Sequence, residues 1–216
     1  MKIDSKLLSL EERVFETLQE EILAGKYPRG FALGEKMLSE KMGVSRTPVR
    51  AALRRLDEDG LIESVANKGS VVIGITKEDI IGIYQIRMRL EGLASLLAAS
   101  KISQEDLSLL LESVELSEFY IERKNTEKLK ELDSQFHETI YKAADNVQLC
   151  KTLSELHRKI KTYRKLSLNV PGRLERSVAE HREIYEAIAA GNGELADNLT
   201  SLHVKRALEN MLKTFE

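Results

Sequence analysis

The sequence predicts a mostly α-helical protein with an N-terminal winged helix-turn-helix and a C-terminal all-helical bundle of about six helices. A helix-turn-helix pattern with a basic outer face occupies residues 38–62, LSEKMGVSRTPVRAALRRLDEDGLI. From residue 76 onward, one apolar helical period follows another without strand signals. We therefore expect a DNA-binding domain at 1–75 and a helical domain at 76–216, which agrees with usual domain sizes.

Composition is typical of a helix-rich protein outside the membrane. The chain has 42% hydrophobic and 31% charged residues, no Trp and 3 Pro. No run approaches the roughly 18 apolar residues of a membrane span, and the first residues lack the apolar segment of a signal peptide. We expect a cytoplasmic protein with no membrane partner. The single cysteine, Cys150, excludes an intrachain disulfide and a thiolate-rich zinc site.

The first predicted helix spans 10–24, because apolar residues recur there at helical spacing and Gly25 supplies a C-terminal stop. A turn rich in Pro and Gly follows at 27–34. The helix-turn-helix then begins with a short helix at 38–42 and a turn at Gly43.

The second helix of this motif opens at Ser45, a favourable N-cap, with Pro48 in its first turn, where a missing N–H does no harm. Its apolar face recurs at spacings of four and three, through Val49, Leu53 and Leu56. The opposite face carries Arg46, Thr47, Arg50 and Arg54. This division suits a helix that reads DNA, because its N-terminal side chains must reach base edges while its back packs. An amphipathic surface helix with solvated arginines is the alternative.

The net charge of -2 conceals a basic end of the chain. Between residues 26 and 55 there are eight basic and two acidic residues, a local balance of +6. Because affinity for phosphate depends on local charge, this asymmetry suits a protein with one DNA-facing end and an acidic body.

Downstream of the second helix, the apolar period changes from helical to alternating. Residues 61–65 and 70–73 are expected to form two short strands around a turn at 66–69, the β-hairpin wing of a winged helix. Lys68 and Gly69 lie at its tip, where a basic side chain meets phosphate and a glycine lets the backbone come close. A plain solvated turn is the alternative.

Six helices are predicted for the rest of the chain. The first begins at the capping sequence Thr76-Lys77-Glu78-Asp79 and continues for about six turns. The others are expected at 103–123, 126–145, 147–168, 173–190 and 193–214. Together they suit an antiparallel bundle with its own core.

Three of the four histidines are spaced in a way that suits a metal ion. Asp133 and His137 are four residues apart on one predicted helix and share a face, while His181 and His203 lie on the last two predicted helices. One carboxylate and three imidazoles suit a divalent zinc, nickel, manganese or iron ion. A helical i, i+4 hydrogen bond, or core histidines with satisfied polar atoms, explains the spacing equally well. The fourth histidine, His157, is expected at the surface because two basic residues follow it.

Two sets of residues match a known family pattern. The N-terminal set includes Ser45-Arg46-Thr47-Pro48-Val49-Arg50 and Ala52-Leu53-Arg54-Arg55-Leu56. The C-terminal set is Arg87, Glu91, Asp133-x-x-Phe136-His137, Asn146, His181 and His203. From about residue 10 to its end, the chain resembles a GntR-superfamily transcription factor of the FadR-like branch, with an FCD-type effector domain.

The resemblance implies a metabolite-responsive, DNA-binding repressor. It assigns DNA contacts to Lys36, Ser45, Arg46, Thr47, Arg50 and Gly69. It assigns one divalent metal ion per chain to Asp133, His137, His181 and His203. Two positions depart from the family: Ala51 stands where many relatives have Glu, and Asn67 precedes Lys68 where two basic residues are common. The second departure weakens the expected wing contact of Lys68.

On this resemblance we expect a homodimer that places two recognition helices in successive major grooves of a pseudo-palindromic, double-stranded operator. Arg46 and Arg50 are expected on bases or phosphates, and Ser45 and Thr47 on the DNA backbone.

A small carboxylate metabolite is the expected effector. It would bind at the metal, with Arg87 as a second anchor through a bidentate salt bridge. An ion pair between Arg87 and Glu91, one helical turn on, is the alternative role of this arginine. Effector binding is expected to change operator affinity by shifting the two DNA-binding heads.

Two further functions remain open from the sequence. An open metal site also suits a metal-dependent enzyme that acts on a small organic acid. Against this, no second constellation offers a general base, and an enzyme has no need of a basic winged helix. The third function is a constitutive DNA binder whose ion is structural.

Overall fold

The computed structural model describes residues 9–65, 69–74, 76–167 and 172–213, with 161–167 described by their backbone alone. Its elements are α1 (Leu10–Leu23), β1 (Ala32–Leu33), α2 (Glu35–Met42), α3 (Arg46–Glu58), β2 (Ile62–Val65), β3 (Gly69–Val72), α4 (Lys77–Lys101), α5 (Gln104–Glu122), α6 (Thr126–Ala143), α7 (Val147–Ser167), α8 (Arg173–Ala189) and α9 (Gly193–Leu212). They form two compact units, Met1–Thr76 and Lys77–Glu216. The mostly helical fold predicted from the sequence is confirmed. Among the described helices, none has the length and apolar character needed to cross a membrane.

In the first unit, α1 packs against α3. The helix α1 buries Val14, Leu18 and Ile22 at helical spacing. The helix α3 buries Val49, Leu53 and Leu56, the apolar face that the sequence predicts. Because each helix buries one stripe against the other, the opposite side of α3 is left at the surface.

The turn between α2 and α3 is fixed at Gly43, which adopts φ +64° and ψ +33°. This left-handed conformation is readily available only to glycine. Ser39 braces the turn, because its Oγ donates to the carbonyl oxygen of Val44 at 2.8 Å. The helix α2 begins at Glu35, three residues before the predicted start, so an acidic side chain opens it and meets the positive end of the helix dipole.

The three strands form an antiparallel sheet in the order β1-β3-β2, with Ala32 opposite Val71 and Ile62 opposite Val72. The two predicted wing strands are thus confirmed. The residues that join them, 66–68, lie outside the described residues. The segment 27–34 was predicted to be only a turn, but it contains β1. A two-residue strand is too short to show an alternating pattern, and its partner lies about forty residues further along the chain.

In the second unit, α4 packs along α9, and α5 packs against α6 and α8. All six predicted helices are present with boundaries within about two residues of the prediction, the usual uncertainty of a helix end. The helices α6, α8 and α9 all contact α4, and these four elements carry the predicted metal and effector residues.

The helices α4 and α9 approach closely at Gly92. A Cβ atom at this position would lie 1.9 Å from Oδ1 of Asp197 and 2.6 Å from Oγ of Ser201. Beside it, the hydroxyl groups of Ser95 and Thr200 are 2.7 Å apart and hydrogen-bonded. Small residues therefore set the separation of the two helices, and with it the position of α4 beside the histidine of α9.

Candidate nucleic-acid interface and metal centre

The outer face of α3 is exposed as predicted. Ser45 caps the helix with an extended backbone, although its side chain makes no capping hydrogen bond. The predicted DNA-contact residues Ser45, Arg46, Thr47 and Arg50 are all at the surface, as is Arg54. Their exposure follows from the packing of the opposite stripe on α1, and it leaves their donors accessible to a duplex.

Arg50 is not free in solution on this face. Its Nε donates to Oε1 of Glu35 at 2.9 Å, and its Nη2 donates to Oε2 at 2.8 Å. This two-bond pair joins α3 to the first residue of α2. The sequence analysis did not foresee it, because Glu35 and Arg50 are fifteen residues apart on different helices.

The other predicted DNA-contact residues lie on two further elements. Lys36 on α2 is exposed and forms a long pair with Glu40, with Nζ and Oε1 3.9 Å apart. Gly69 opens β3 with φ +73°, and a Cβ atom there would meet nothing within 4 Å. Lys68 lies outside the described residues. The helix contacts and the exposed glycine are thus available, while the lysine of the wing stays a prediction.

In the bundle, three predicted ligands come together in the interior. His137 of α6, His181 of α8 and His203 of α9 are 1%, 3% and 2% exposed. One side-chain nitrogen of each lies within 4.8 Å of the others. Oδ1 of Asp133 lies 4.0 Å from Nε2 of His181. Residues separated by up to seventy positions therefore converge on one point between three helices.

Two of these histidines are oriented by buried carboxylates. Nδ1 of His203 lies 2.7 Å from Oε2 of Glu180, and Nδ1 of His137 lies 3.1 Å from Oε2 of Glu91. The contact with Glu180 is a hydrogen bond, and a carboxylate that accepts from one ring nitrogen fixes the tautomer, so that the other nitrogen of His203 carries a lone pair for a metal ion. The contact between His137 and Glu91 is a close polar contact. His181 is held differently: its ring stacks on Phe136, with centroids 4.1 Å apart and planes 11° apart.

Each carboxylate is in turn held by arginine. Nε of Arg87 donates to Oε1 of Glu91 at 2.6 Å, and Nη1 of Arg206 donates to Oε1 of Glu180 at 3.0 Å. The sequence left two roles open for Arg87, and the ion pair with Glu91 is the one that forms. A direct contact of Arg87 with an effector stays a prediction.

Burial and charge shift the pKa values in a way that favours neutral imidazole and ionised carboxylate. Burial lowers the pKa of His203 to about 4, against the opposing hydrogen bond to Glu180. Burial would raise the pKa of Glu91, but the positive charge of Arg87 holds it below its ordinary value. Metal ions bind neutral imidazole, so the environment of His203 holds it in the binding form.

The donor set fits a divalent metal ion. Nε2 of His137 is buried and has no hydrogen-bond partner among the described residues, although a buried polar nitrogen is costly to leave unsatisfied. Its other ring nitrogen lies 3.1 Å from Oε2 of Glu91, and a metal-bound histidine usually has a carboxylate on this side. Imidazole nitrogens beside an aspartate are the donors that zinc, nickel, manganese and iron accept. An ion bound to Asp133, His137, His181 and His203 would satisfy this orphan nitrogen.

His157 corrects a prediction. It was expected at the surface but is 4% exposed, with its ring centroid 5.5 Å from that of His137. The basic residues that follow it point elsewhere around the helix. His157 continues a buried stripe of α7 at helical spacing, through Leu149, Leu153 and Ile160. The helical spacing therefore indicated that His157 is buried, but its charged neighbours suggested a surface position.

Sequence reasoning also missed Glu180 and Tyr141. Glu180 immediately precedes His181, so its side chain points in a different direction on α8, and no spacing rule joins it to His203. Tyr141 lies one turn after His137 on α6, with ring centroids 6.1 Å apart. Burial, together with the charge of Glu91, raises the pKa of Tyr141 well above its ordinary value, so its phenol stays protonated.

Both units match known protein families. Residues 10–72 match the family described as bacterial regulatory proteins, gntR family, and residues 82–206 match the FCD domain. The HTH-type transcriptional regulator YdhC of Bacillus subtilis is 30% identical over 204 residues, which cover 94% of this chain and 91% of that protein. The gluconate operon transcriptional repressor of the same species is 32% identical over 162 residues, 73% of this chain and 65% of that protein.

A solved structure agrees in fold. The structure of Lar from Listeria monocytogenes matches 97% of this chain and 99% of that chain with a TM-score of 0.78. At 20% identity, this match shows a shared fold alone. From the two family matches and the relatives that cover most of its length, the chain belongs to the GntR family of bacterial regulatory proteins and carries an FCD domain, which makes it a transcriptional regulator rather than an enzyme.

Proposed function

We propose that this regulator is a homodimeric repressor whose winged helix binds a two-fold operator and whose bundle binds one divalent metal ion per chain and a small carboxylate metabolite. Metal and metabolite binding by the bundle is supported by the convergence of three buried histidine side chains, with Nε2 of His137 left without a hydrogen-bond partner in the described structure. Operator binding by the winged helix is supported by the basic outer face of α3.

For DNA binding, we assign base or phosphate contacts to Arg46 and Arg50, and backbone contacts to Ser45 and Thr47. Lys36, Gly69 and Lys68 complete the assigned contacts. The exposed donors of α3 and the local balance of +6 over residues 26–55 support this assignment. Because a two-fold protein reads a two-fold site, a dimer matches a pseudo-palindromic operator.

For metal binding, we assign the ligands Asp133, His137, His181 and His203. The ion is zinc, nickel, manganese or iron, since all accept nitrogen and carboxylate donors. A bound ion supplies positive charge and open coordination positions suited to a carboxylate. The chain's own part is to hold two imidazoles by their Nδ1 atoms against Glu91 and Glu180 and to exclude water from the site.

A small carboxylate suits the charge and donors around this site. The phenol of Tyr141 stays protonated and offers a hydrogen-bond donor. Arg87 uses its Nε atom to bind Glu91, and its Nη atoms take no part in that hydrogen bond. One relative is named as the repressor of a gluconate operon, and gluconate is a carboxylate. We propose Arg87 as the effector's second anchor, acting with Tyr141.

Selection from a pool of random duplexes tests operator binding. The wild-type protein should enrich an inverted repeat, bind it as a dimer in analytical ultracentrifugation, and lose affinity steeply with salt, with a log-log slope near -0.9 per phosphate neutralised. A pool without an enriched sequence would contradict operator binding.

Thermal melting with a panel of small carboxylates tests effector binding at the metal site. Active acids should raise the melting temperature only of the metal-loaded protein and should change its affinity for the selected duplex. Their primary amides, which lack the charge, serve as matched controls. If no acid changes either quantity while metal still binds and stabilises the protein, the ion is structural and the regulator is a constitutive DNA binder.

A further inference from the structure

An acidic residue lies on the face of the winged helix that we propose to bind DNA. The side chains of Arg50 and Glu35 are 71% and 35% exposed, so their two-bond pair forms at the surface rather than in the core. In the sequence between residues 26 and 55, Glu40 is the only other acidic residue. Glu35 suits the positive end of the α2 dipole, and the same position also places its carboxylate among the basic groups of this face.

Glu35 weakens the positive field of this face. The hydrogen bond from Arg50, and then the charges of Arg50 and Arg46, hold the pKa of Glu35 below its ordinary value, so its carboxyl group is ionised at neutral pH. Sequence-independent binding depends on basic groups that neutralise phosphates. An ionised carboxylate at this position therefore lowers affinity for DNA of any sequence.

The same pair directs the donors that Arg50 retains. A guanidinium carries five N–H groups in a planar fork. Glu35 takes the edge formed by Nε and Nη2, which leaves the end of the fork, with Nη1 and one N–H of Nη2. Two donors at the end of an arginine match the O6 and N7 acceptors of guanine. Because the guanidinium is already held, less side-chain entropy is lost when it meets a base.

From this geometry we infer that Glu35 is a specificity-determining residue of the regulator. It positions the end of Arg50 for a base edge and prevents Arg50 from serving as a freely placed phosphate contact. The inference rests on the proposed DNA-binding function. Its consequence is lower affinity for random DNA together with a larger ratio between operator and random affinities.

The variant Glu35→Gln tests the inference, because it removes the charge and keeps the size of the side chain. The probes are a duplex selected by the wild-type protein and a shuffled duplex of the same composition, each titrated over a salt series. The shuffled duplex should bind more tightly, with a salt slope steeper by up to about 0.9. The affinity ratio should fall at least about fivefold, the lower end of the roughly 5- to 150-fold discrimination of a bidentate base contact.

Two further variants separate positioning from general charge. Glu40→Gln makes the same charge change on α2, but Glu40 pairs with Lys36 at 3.9 Å, so both affinities should rise alike and the ratio should stay constant. In an Arg50→Ala background, where the ratio is expected to be near one, Glu35→Gln should raise the affinity for both duplexes alike, because Glu35 acts on the ratio only through Arg50.

An unchanged ratio in Glu35→Gln, with the wild-type protein still discriminating between the duplexes, would overturn this inference alone and leave the pair as a brace between α2 and α3. A wild-type protein that enriches no sequence and binds both duplexes alike would overturn the proposed DNA-binding function, and this inference with it.

Discussion

Arg50 pairs with Glu35 at the surface of the winged helix, whereas Arg87 pairs with Glu91 in the interior of the bundle. The exposed pair has two hydrogen bonds near 2.9 Å and side chains that are 71% and 35% exposed. The buried pair has Nε and Oε1 2.6 Å apart and side chains that are 3% and 1% exposed. The chemistry of the two pairs is the same, and their surroundings differ.

The difference in burial determines what each pair contributes to stability. At the surface, water competes for both charges, so such a pair contributes little to stability, and the donors of Arg50 that face away from Glu35 remain accessible to DNA. In the interior, neither charge can be rehydrated, and removal of one partner strands the other. The buried pair thus fixes the carboxylate beside His137, while the exposed pair directs the remaining donors of Arg50 outward at little cost in stability.

The largest expected effect is the loss of the buried pair. Arg87→Ala should lower the free energy of unfolding of the bundle by about 3–5 kcal/mol, because Glu91 is left buried without its counter-charge. Urea unfolding followed by circular dichroism measures it. Arg54→Ala is the matched control: Arg54 also pairs with a glutamate one turn on, Glu58, but at 3.8 Å and at the surface, so its loss should be about 0.5 kcal/mol or less. Equal losses of unfolding free energy in the two variants would contradict the proposed difference between buried and exposed pairs.

Acid should destabilise the metal-free bundle. The pKa of His203 is about 4 in the folded protein because of burial, and about 6.5 when unfolded. The unfolded chain therefore takes up this proton first, so the stability is fully present above pH 6.5 and is lost as pH falls to 4. The loss amounts to roughly 3 kcal/mol. Urea unfolding between pH 7 and 4 measures it, and His203→Gln should flatten the dependence. A bundle equally stable at both ends of that range would contradict the burial argument.

A smaller effect is expected at the close approach that holds α4, the helix of the buried pair. Gly92→Ala should cost about 1–3 kcal/mol, because the added Cβ overlaps Asp197 and Ser201. Gly82→Ala is the control in the same helix, where a Cβ atom meets nothing within 4 Å. It should stabilise the protein by about 0.5–1 kcal/mol, since alanine favours helix. Thermal unfolding compares the two, and a stabilising Gly92→Ala would show that α4 and α9 can separate without cost.

The smallest effect on stability is expected for Arg50→Ala at the exposed pair. The fold should be unchanged, because this side chain projects from the core, while specific binding to a selected duplex should be lost. Circular dichroism and fluorescence anisotropy measure the two quantities. A variant that fails to fold would show that the outer face of α3 has been wrongly assigned.

The sequence predicts those features that arise from local periodicity. The spacing of Val49, Leu53 and Leu56 is enough to orient α3, and apolar periods separated by Asn, Gly and Pro locate the helices of the bundle. Three of the histidines could also be grouped in advance, because Asp133 and His137 share one face and the family resemblance supplies His181 and His203.

Features that depend on tertiary geometry could not be predicted in this way. The strand β1 pairs with β3, Glu35 reaches Arg50 across a turn, and Glu180 reaches His203 across two helices. Each contact depends on the relative placement of separate elements, which no spacing rule encodes. His157 is a different case, since its periodicity was visible and its charged neighbours were given too much weight.

The central claim is that the buried histidines of the bundle form a site for one metal ion. Metal content per chain tests this claim most directly. Protein stripped by chelator and reloaded with zinc or nickel is freed of excess ion by gel filtration and measured by elemental mass spectrometry. We predict one tightly held ion per chain for the wild-type protein and for His157→Gln, which alters the neighbouring buried histidine, and none for His181→Ala or His203→Ala. If these two variants keep one ion per chain as tightly as the wild type, the site is not formed by these histidines.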